Sequence, residues 1–517
     1  MSDIKQQITS LGDIPRVYGK QYPDKPALIF AGRETSYAAL HQHTNQVANG
    51  LRAAGCLPQS RVVFLGKNSD QYFELLLGAG KANVVLAPLN WRLAPAELEV
   101  ILADVQPAMI FVEEEFQQPL KEFLSSMNCQ VLVMESGFAC WRNAQPAEDP
   151  GLSVGQNDVV LQLYTSGTTG QPKGVQLTNA GLFYLRQAEE QAGSWAQWQS
   201  SDVSLVAMPV FHIGGTGWGF TGLYNGATNV IMKQAEPVEL MQLVETYKVK
   251  KLFAVPALLL FIVQYPESTP QRFKHVEVVL YGASPIPEDL LKQAMALFSA
   301  EFVQLYGMTE TGGSMTYLPP DQHQVNGQGR LKSCGKPLPG IAIKVVDGEG
   351  NSLAANKVGE IVINSPSIMK GYWQRDEETG KVLQKGWYHT GDAGYLDDEG
   401  YLYIYDRVKD MIVSGGENIY PAEVESVLFE HPQVSDAAVI GVPSDKWGEA
   451  VKAVVVRKDG TYPSEEQLIE HCRRRLGGYK VPKSVDFVTE LPRNPSGKLL
   501  KKDLKKPYWQ NKERMVN

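Results

Sequence analysis

A chain of 517 residues, 43% of them hydrophobic, is too long for one ordinary core and well supplied to bury several, so two or more domains are expected. A net charge of −8 and a pI near 5.7 exclude a general nucleic-acid coat, whose phosphate contacts need a basic face, and leave nucleotide binding open. The five cysteines at 56, 129, 140, 334 and 472 are scattered and lack CxxC spacing, which excludes a disulfide framework or a zinc site and fits a reducing cytoplasm.

The opening MSDIKQQITS has no apolar core of signal-peptide length. Short β-branched runs then recur at 61–66, 84–90, 108–112, 130–134, 202–208, 228–232, 250–255 and 276–282, with helical stretches between them. Strand and helix in alternation imply parallel sheets covered by helices. Segments 69–82 and 287–300 have the apolar spacing of amphipathic helices, with Pro287 suited to a first turn. The longest apolar segment, LFAVPALLLFIV (252–263), is short and interrupted by Pro256, so no membrane span is expected, although peripheral membrane contact stays open. After about residue 333 the pattern changes to short strands punctuated by Asp-Gly and Glu-Gly turns, an antiparallel β region. The last hundred residues alternate again, with helices expected at 421–431 and 465–476 and strands at 434–443 and 450–458.

The densest chemistry lies in YTSGTTGQPKGV (164–175), directly after the apolar run 159–163. Gly167, Gly170 and Gly174 let backbone N–H groups converge on an anion, and Thr165, Ser166, Thr168 and Thr169 add hydroxyl donors. Lys173 supplies a movable positive charge. Because Gly174 and Val175 follow it rather than Ser or Thr, this is a phosphate loop of a kind other than Walker A.

This loop, YGMTE (306–310), WYHTGD (387–392), DRVKDMIVSGGENIYP (406–421) and NPSGK (494–498), in this order and spacing, resemble the motif set of the adenylate-forming superfamily. That superfamily holds acyl-CoA synthetases, firefly luciferase-type enzymes and the adenylation domains of peptide synthetases. The resemblance covers nearly the whole chain. It implies an α/β fold: a large N-terminal domain (1–408) of two parallel-type α/β subdomains plus a β-rich subdomain, then a small mobile α+β C-terminal domain (409–517). It also implies a two-step reaction, in which a carboxylate attacks the α-phosphate of ATP to release pyrophosphate and a thiol, usually that of coenzyme A, then displaces AMP.

Carried over residue by residue, the resemblance assigns Thr165, Ser166, Gly167, Thr168, Thr169, Gly170 and Lys173 to the β- and γ-phosphates of ATP. Gly282, Ala283 and Ser284 of YGASP and Tyr306, Gly307 and Met308 form the adenine slot, and Thr309 serves the α-phosphate. Glu310 holds Mg²⁺ together with Thr165, a donor set that suits a cation taking few carboxylates plus phosphate and water oxygens. Asp392 accepts from the ribose hydroxyls and Arg407 reaches the ribose or phosphate. Lys498 is the catalytic lysine of adenylation, bridging a carboxylate oxygen and the α-phosphate. Lys409 is the hinge about which the small domain turns, withdrawing Lys498 and bringing Gly415 and Gly416 to the pantetheine of coenzyme A. Read alone, several of these are ordinary: a surface Arg and Lys near a turn, a Gly-Asp turn, a solvated basic tail around Lys498, a structural histidine.

The acyl pocket, by the same analogy, is lined by FHIGGTGWGF (211–220), with His212, Gly214, Gly215 and Trp218, by residues after Phe253, and by Gly307 and its successors. The glycines of 214–219 either make room for an acyl group or serve close backbone packing. No acidic residue in this stretch recognises an α-ammonium, which favours a non-amino acid. The resulting expectation is a cytoplasmic, ATP- and Mg²⁺-dependent acyl-CoA synthetase for a medium- to long-chain fatty acid. Its alternatives are an aryl- or alicyclic-acid CoA ligase and a stand-alone enzyme loading a carrier-protein thiol. No nucleic-acid partner is expected, and a homodimer is compatible with the family.

Overall fold

A computed structural model describes residues 2–166, 172–284, 286–324, 330–407, 410–414, 417–444, 446–493 and 499–509, with Ser2, Asp3, Ser166, Asp406, Arg407 and Asn418 described by their backbone alone. The chain separates into two compact units: 1–342 with 364–388, and 343–363 with 389–517.

The first unit holds two large sheets. In the nine-stranded sheet the neighbours run Lys336–Pro337, Gly313–Leu318, Glu301–Met308, Val278–Gly282, Lys251–Ala254, Val203–Val206, Thr228–Ile231, Pro26–Phe30 and Arg33–Ser36. The inner strands are parallel and the two edges antiparallel. The seven-stranded sheet runs Gly371–Tyr372, Pro172–Thr178, Val159–Ser166, Val85–Pro88, Arg61–Leu65, Met109–Val112 and Gln130–Val133. All eight β-branched runs of the first half are therefore strands.

Their continuous rather than alternating hydrophobicity has a direct cause. In Val278–Gly282, Val278 and Leu280 enter one core while Val279 and Tyr281 enter another; Val62 and Phe64 likewise part from Val63 and Leu65. Side chains alternate across a strand, so a sheet covered on both faces needs apolar residues at every position. The helices between them start on local signals. Ser69 Oγ accepts from Tyr72 N to open Asp70–Lys81, and Thr178 Oγ1 accepts from Gly181 N to open Asn179–Glu190. Pro256 stands at the first position of Pro256–Gln264, splitting the apolar segment 252–263 into a strand and a helix. Pro287 sits one place earlier than expected, in the cap position before Glu288–Phe298.

In the second unit, the 389–396 part of strand Trp387–Leu396 pairs antiparallel with Leu402–Arg407 across the Glu399-Gly400 turn, as the Glu-Gly signal predicts. The C-terminal sheet orders Glu417–Ile419, Ile412–Ser414, Gly448–Arg457 and Val434–Ser444, with Ser484–Val488 added parallel to Gly448–Arg457. Helices Pro421–Phe429 and Glu465–Arg473 contribute Val424, Leu428, Leu468 and Cys472 to its core. Lys501–Trp509, within the stretch whose lysines read as a basic tail, is a helix; Leu504 and Tyr508 pack on Ala438, Ile440 and Val454.

Candidate functional site

The phosphate-loop motif forms a β-hairpin whose two strands, Val159–Ser166 and Pro172–Thr178, place Thr165 directly across from Lys173 and Tyr164 across from Gly174. Cross-strand partners project to the same face, so the Thr165 hydroxyl and the Lys173 ammonium share a side of the hairpin. Gly167, Thr168, Thr169 and Gly170, between the strands, lie outside the described residues.

YGASP and YGMTE end neighbouring parallel strands, in register Tyr281↔Gln304 and Gly282↔Leu305. Carboxyl ends of adjacent parallel strands are where open α/β sheets bind ligands. Two glycines are obligatory there. A Cβ on Gly282 would lie 2.1 Å from the Leu305 carbonyl oxygen, and one on Gly307 2.0 Å from that of Gly313. Ala283, next in line, has φ +68, a left-handed conformation that a non-glycine residue holds only where its surroundings impose it. Ser284 is exposed, and Pro285 lies outside the described residues.

Glu310 sits on a single 3-10 turn, Thr309–Thr311, that joins Glu301–Met308 to Gly313–Leu318. Thr311 ties the turn together: its Oγ1 accepts from Met308 N (3.0 Å) and donates within reach of the Met308 and Gly313 carbonyls. The Glu310 backbone carbonyl accepts from Met369 N at 2.8 Å, and its Oε1 accepts from Tyr372 Oη at 3.2 Å. Tyr372 also lies under Lys173, whose Nζ is 5.1 Å from the ring centroid. Among the described residues no group of three or more His, Cys, Asp or Glu could hold a metal ion. A lone carboxylate with hydroxyl donors nevertheless fits Mg²⁺, which fills its octahedron from phosphates and water.

The glycine-rich stretch expected to line the acyl pocket forms the helix Ile213–Tyr224 with His212 in the cap position. Here the structure separates the two roles open to its glycines. A Cβ on Gly215 would meet the Pro209 carbonyl oxygen at 2.2 Å, and one on Gly219 the Phe73 ring at 2.3 Å, so these positions serve close packing. At Gly214 the neighbour is the Phe253 ring, 3.1 Å from a Cβ. Trp218 donates Nε1 to the Leu205 carbonyl (3.0 Å), and its ring stands 6.2 Å from Phe253 and 5.4 Å from Trp198. The His212 Nε2 is buried without a hydrogen-bond partner. Burial, with Arg92 adding repulsion, pushes this imidazole down to about 4, so it is neutral at ordinary pH.

In the second unit, Asp392 is buried, donates its backbone N–H to Thr390 Oγ1 at 3.0 Å, and pairs in register with Arg407. Lys409, Gly415, Gly416 and Lys498 lie outside the described residues. Sequence reasoning passed over Tyr372. Its GYW context carries no chemical signature, and only a pairing between residues some two hundred positions apart brings it to Lys173 and Glu310.

Hairpin, paired strand ends and glutamate turn define an adenylate-forming enzyme. The chain belongs to the AMP-binding enzyme family, whose profile matches residues 16–373, with the AMP-binding enzyme C-terminal domain matching 423–498. It is 38% identical over 513 residues to the fatty acid–[acyl-carrier-protein] ligase ScoC of Streptomyces coeruleorubidus, covering 99% of both chains. To the feruloyl-CoA synthase of an Amycolatopsis species it is 37% identical, over 96% of this chain and 99% of the relative. Among solved structures it resembles ATP-bound MatB from Rhodopseudomonas palustris, with TM-score 0.89 and 29% identity, covering 96% of this chain and 99% of that one. It is an AMP-forming acid–thiol ligase of the acyl- and aryl-CoA ligase family, a family whose co-substrates are ATP and coenzyme A. Among the described residues no helix is long and apolar enough to cross a membrane.

Proposed function

We propose that the enzyme activates an apolar, non-amino carboxylic acid, a medium- to long-chain fatty acid, as its acyl-adenylate and then forms the coenzyme A thioester. The observation that carries this reading is the proposed acyl side itself: Trp218, on helix Ile213–Tyr224, stands beside Phe253, the stretch 211–220 contains no charged residue, and a neutral His212 caps the helix. Such a surface rewards burial of hydrocarbon, about 25 cal/mol per Å², and offers an α-ammonium no counter-charge.

In the first step a carboxylate oxygen bonds to the α-phosphorus and the bond to the bridging oxygen of pyrophosphate breaks. Lys173 stabilises charge on the departing group, and Lys498 holds the two mutually repelling anions together. Glu310 and Thr165 would hold Mg²⁺, which when bound supplies charge neutralisation on the polyphosphate. Asp392 and Arg407 serve the ribose. In the second step the thiol sulfur bonds to the acyl carbon and AMP leaves, after rotation at Lys409 replaces Lys498 with Gly415 and Gly416.

Acid-dependent exchange between pyrophosphate and ATP, measured over fatty, aryl and amino acids, tests the reading. Exchange with aliphatic acids and AMP as the final product support it; ADP as the main product, or exchange only with amino acids, refutes it. A second reading, an aryl acid or a carrier-protein thiol, is favoured by the near-equal likeness to a feruloyl-CoA synthase and to a ligase named for its carrier protein. The same assay with coenzyme A or acyl-carrier protein as acceptor separates the two.

A further inference from the structure

The strand that carries Lys173 and the turn that carries Glu310 are joined by one short segment of chain. Gly371 and Tyr372 pair antiparallel with Gln176 and Val175, and Lys370 N and Trp373 N donate to the Gln176 and Gly174 carbonyls at 2.9 and 2.7 Å. One residue before this pairing, Met369 N donates to the backbone carbonyl of Glu310. The segment is itself anchored at its far side. Trp373 Nε1 donates to the Asp104 carbonyl at 3.0 Å, Arg375 pairs with the Asp104 carboxylate at 2.6 Å, and the Arg61 guanidinium lies 3.3 Å above the Trp373 ring. Tyr164 of the opposite hairpin strand donates to the same Asp104 at 2.6 Å. Backbone pairing thus holds Tyr372 at a fixed height between cation and anion.

We propose that Tyr372 is a positioning residue for magnesium–triphosphate: its ring supports the Lys173 ammonium, and its hydroxyl orients the Glu310 carboxylate while keeping the two from closing into a direct ion pair. The proposal rests on the reading that this hairpin and turn bind ATP. A bare lysine and glutamate on adjacent elements attract each other, and a collapsed pair would offer neither charge to its ligand. A phenol between them is a poor competitor for both. Its π-face attracts an ammonium without discharging it, and its O–H donates to an ionised carboxylate without neutralising it. A buried phenol needs a hydrogen-bond partner wherever it sits; here the Oη is directed at the one carboxylate the metal requires.

The test is equilibrium binding of ATP to the purified full-length protein, with Mg²⁺ and with EDTA, for wild type, Tyr372→Phe and Tyr372→Leu. Tyr372→Phe keeps the ring and removes the hydroxyl: affinity in EDTA should stay within about twofold, while the gain conferred by Mg²⁺ falls at least threefold. Tyr372→Leu should lower affinity in EDTA as well, because Lys173 loses its support. A Tyr372→Phe protein with wild-type melting behaviour and the full Mg²⁺ gain overturns the proposal, as does a wild type without any such gain. If Tyr372→Leu fails to fold, the Phe variant decides alone. A wild type that binds Mg·ATP but supports no acid-dependent pyrophosphate exchange would refute the acyl-activating reading and leave the Tyr372 result standing.

Discussion

The phosphate side and the acyl side of the first unit are built by different means. On the phosphate side, Lys173 and Glu310 are placed by backbone: strand register, a 3-10 turn, and glycines whose missing side chains are replaced by carbonyl oxygens about 2 Å from where a Cβ would lie. On the acyl side, Phe253, Trp218 and His212 are placed by packing of side chains, one ring against the next. The first arrangement cannot accept a change without moving main chain. The second can be re-cut one side chain at a time. On the proposed reading, chemistry common to every substrate and selection among substrates are thereby kept on separate kinds of scaffold.

Substitutions that strike one side and spare the other make this comparison breakable. Lys498→Ala should have the largest effect. Losing one charge contact made in the transition state costs about 3–4 kcal/mol, a hundred- to thousand-fold in adenylate formation. Thioester formation from a supplied acyl-adenylate should survive. Stopped-flow of the two half-reactions checks it, and equal loss in both would remove the assignment.

Gly282→Ala comes next. Its methyl would have to displace the Leu305 carbonyl, and overpacking of this kind costs about 1–3 kcal/mol. The melting temperature should fall and the KM for ATP rise for every acid alike. A variant with altered acid preference and unchanged ATP binding would show that the two sides are not separate.

Phe253→Ala should do the reverse. Relative kcat/KM between a longer and a shorter acid should move about tenfold or more, within the range that a few methylenes command, while the KM for ATP stays put. Competition between two acids measures it directly.

The smallest effect is on pH dependence. Burial pushes His41, His212 and His323 from 6.5 down to about 4. Between these values the unfolded chain binds protons that the folded chain refuses, so their contribution to stability is complete above pH 6.5 and is lost as pH falls toward 4. Melting temperature against pH should show this decline, and His212→Gln should flatten it. A slope unchanged in that variant would place a charged imidazole on the acyl side.

The sequence was legible where its signal is local. A run buried on both faces reads as a parallel strand, and the caps that open two of the helices, Ser69 and Thr178, are local side chains bonding backbone three residues on. The hairpin, the paired ends Tyr281–Gly282 and Tyr306–Gly307, and Glu310 follow from motifs contiguous in the chain. Three features were hidden for physical reasons. Each glycine inside a helix costs roughly 1 kcal/mol against alanine, so Ile213–Tyr224 has poor local propensity; it is helical because Phe73, Pro209 and Asn229 close on its bare faces. Tyr372, and the strand Pro26–Phe30 beside Thr228–Ile231, depend on pairings across some two hundred residues, which no window of sequence contains.

That last strand has a consequence for how the protein is made. Pro26–Phe30 leaves the ribosome long before its partner Thr228–Ile231 exists, and its far neighbour Arg33–Ser36 can pair with it only as an isolated hairpin, which is marginal in water. During synthesis the chain therefore carries an apolar PALIF segment with one edge unspent, in search of hydrogen bonds. Once folded, the same segment covers the edge that Thr228–Ile231 would otherwise present to solvent. The first forty residues hold none of the proposed site residues, yet they stand guard over solubility: a chain cut short at its beginning would keep its proposed ATP-site residues and lose the cover that keeps one copy's sheet from pairing with the next.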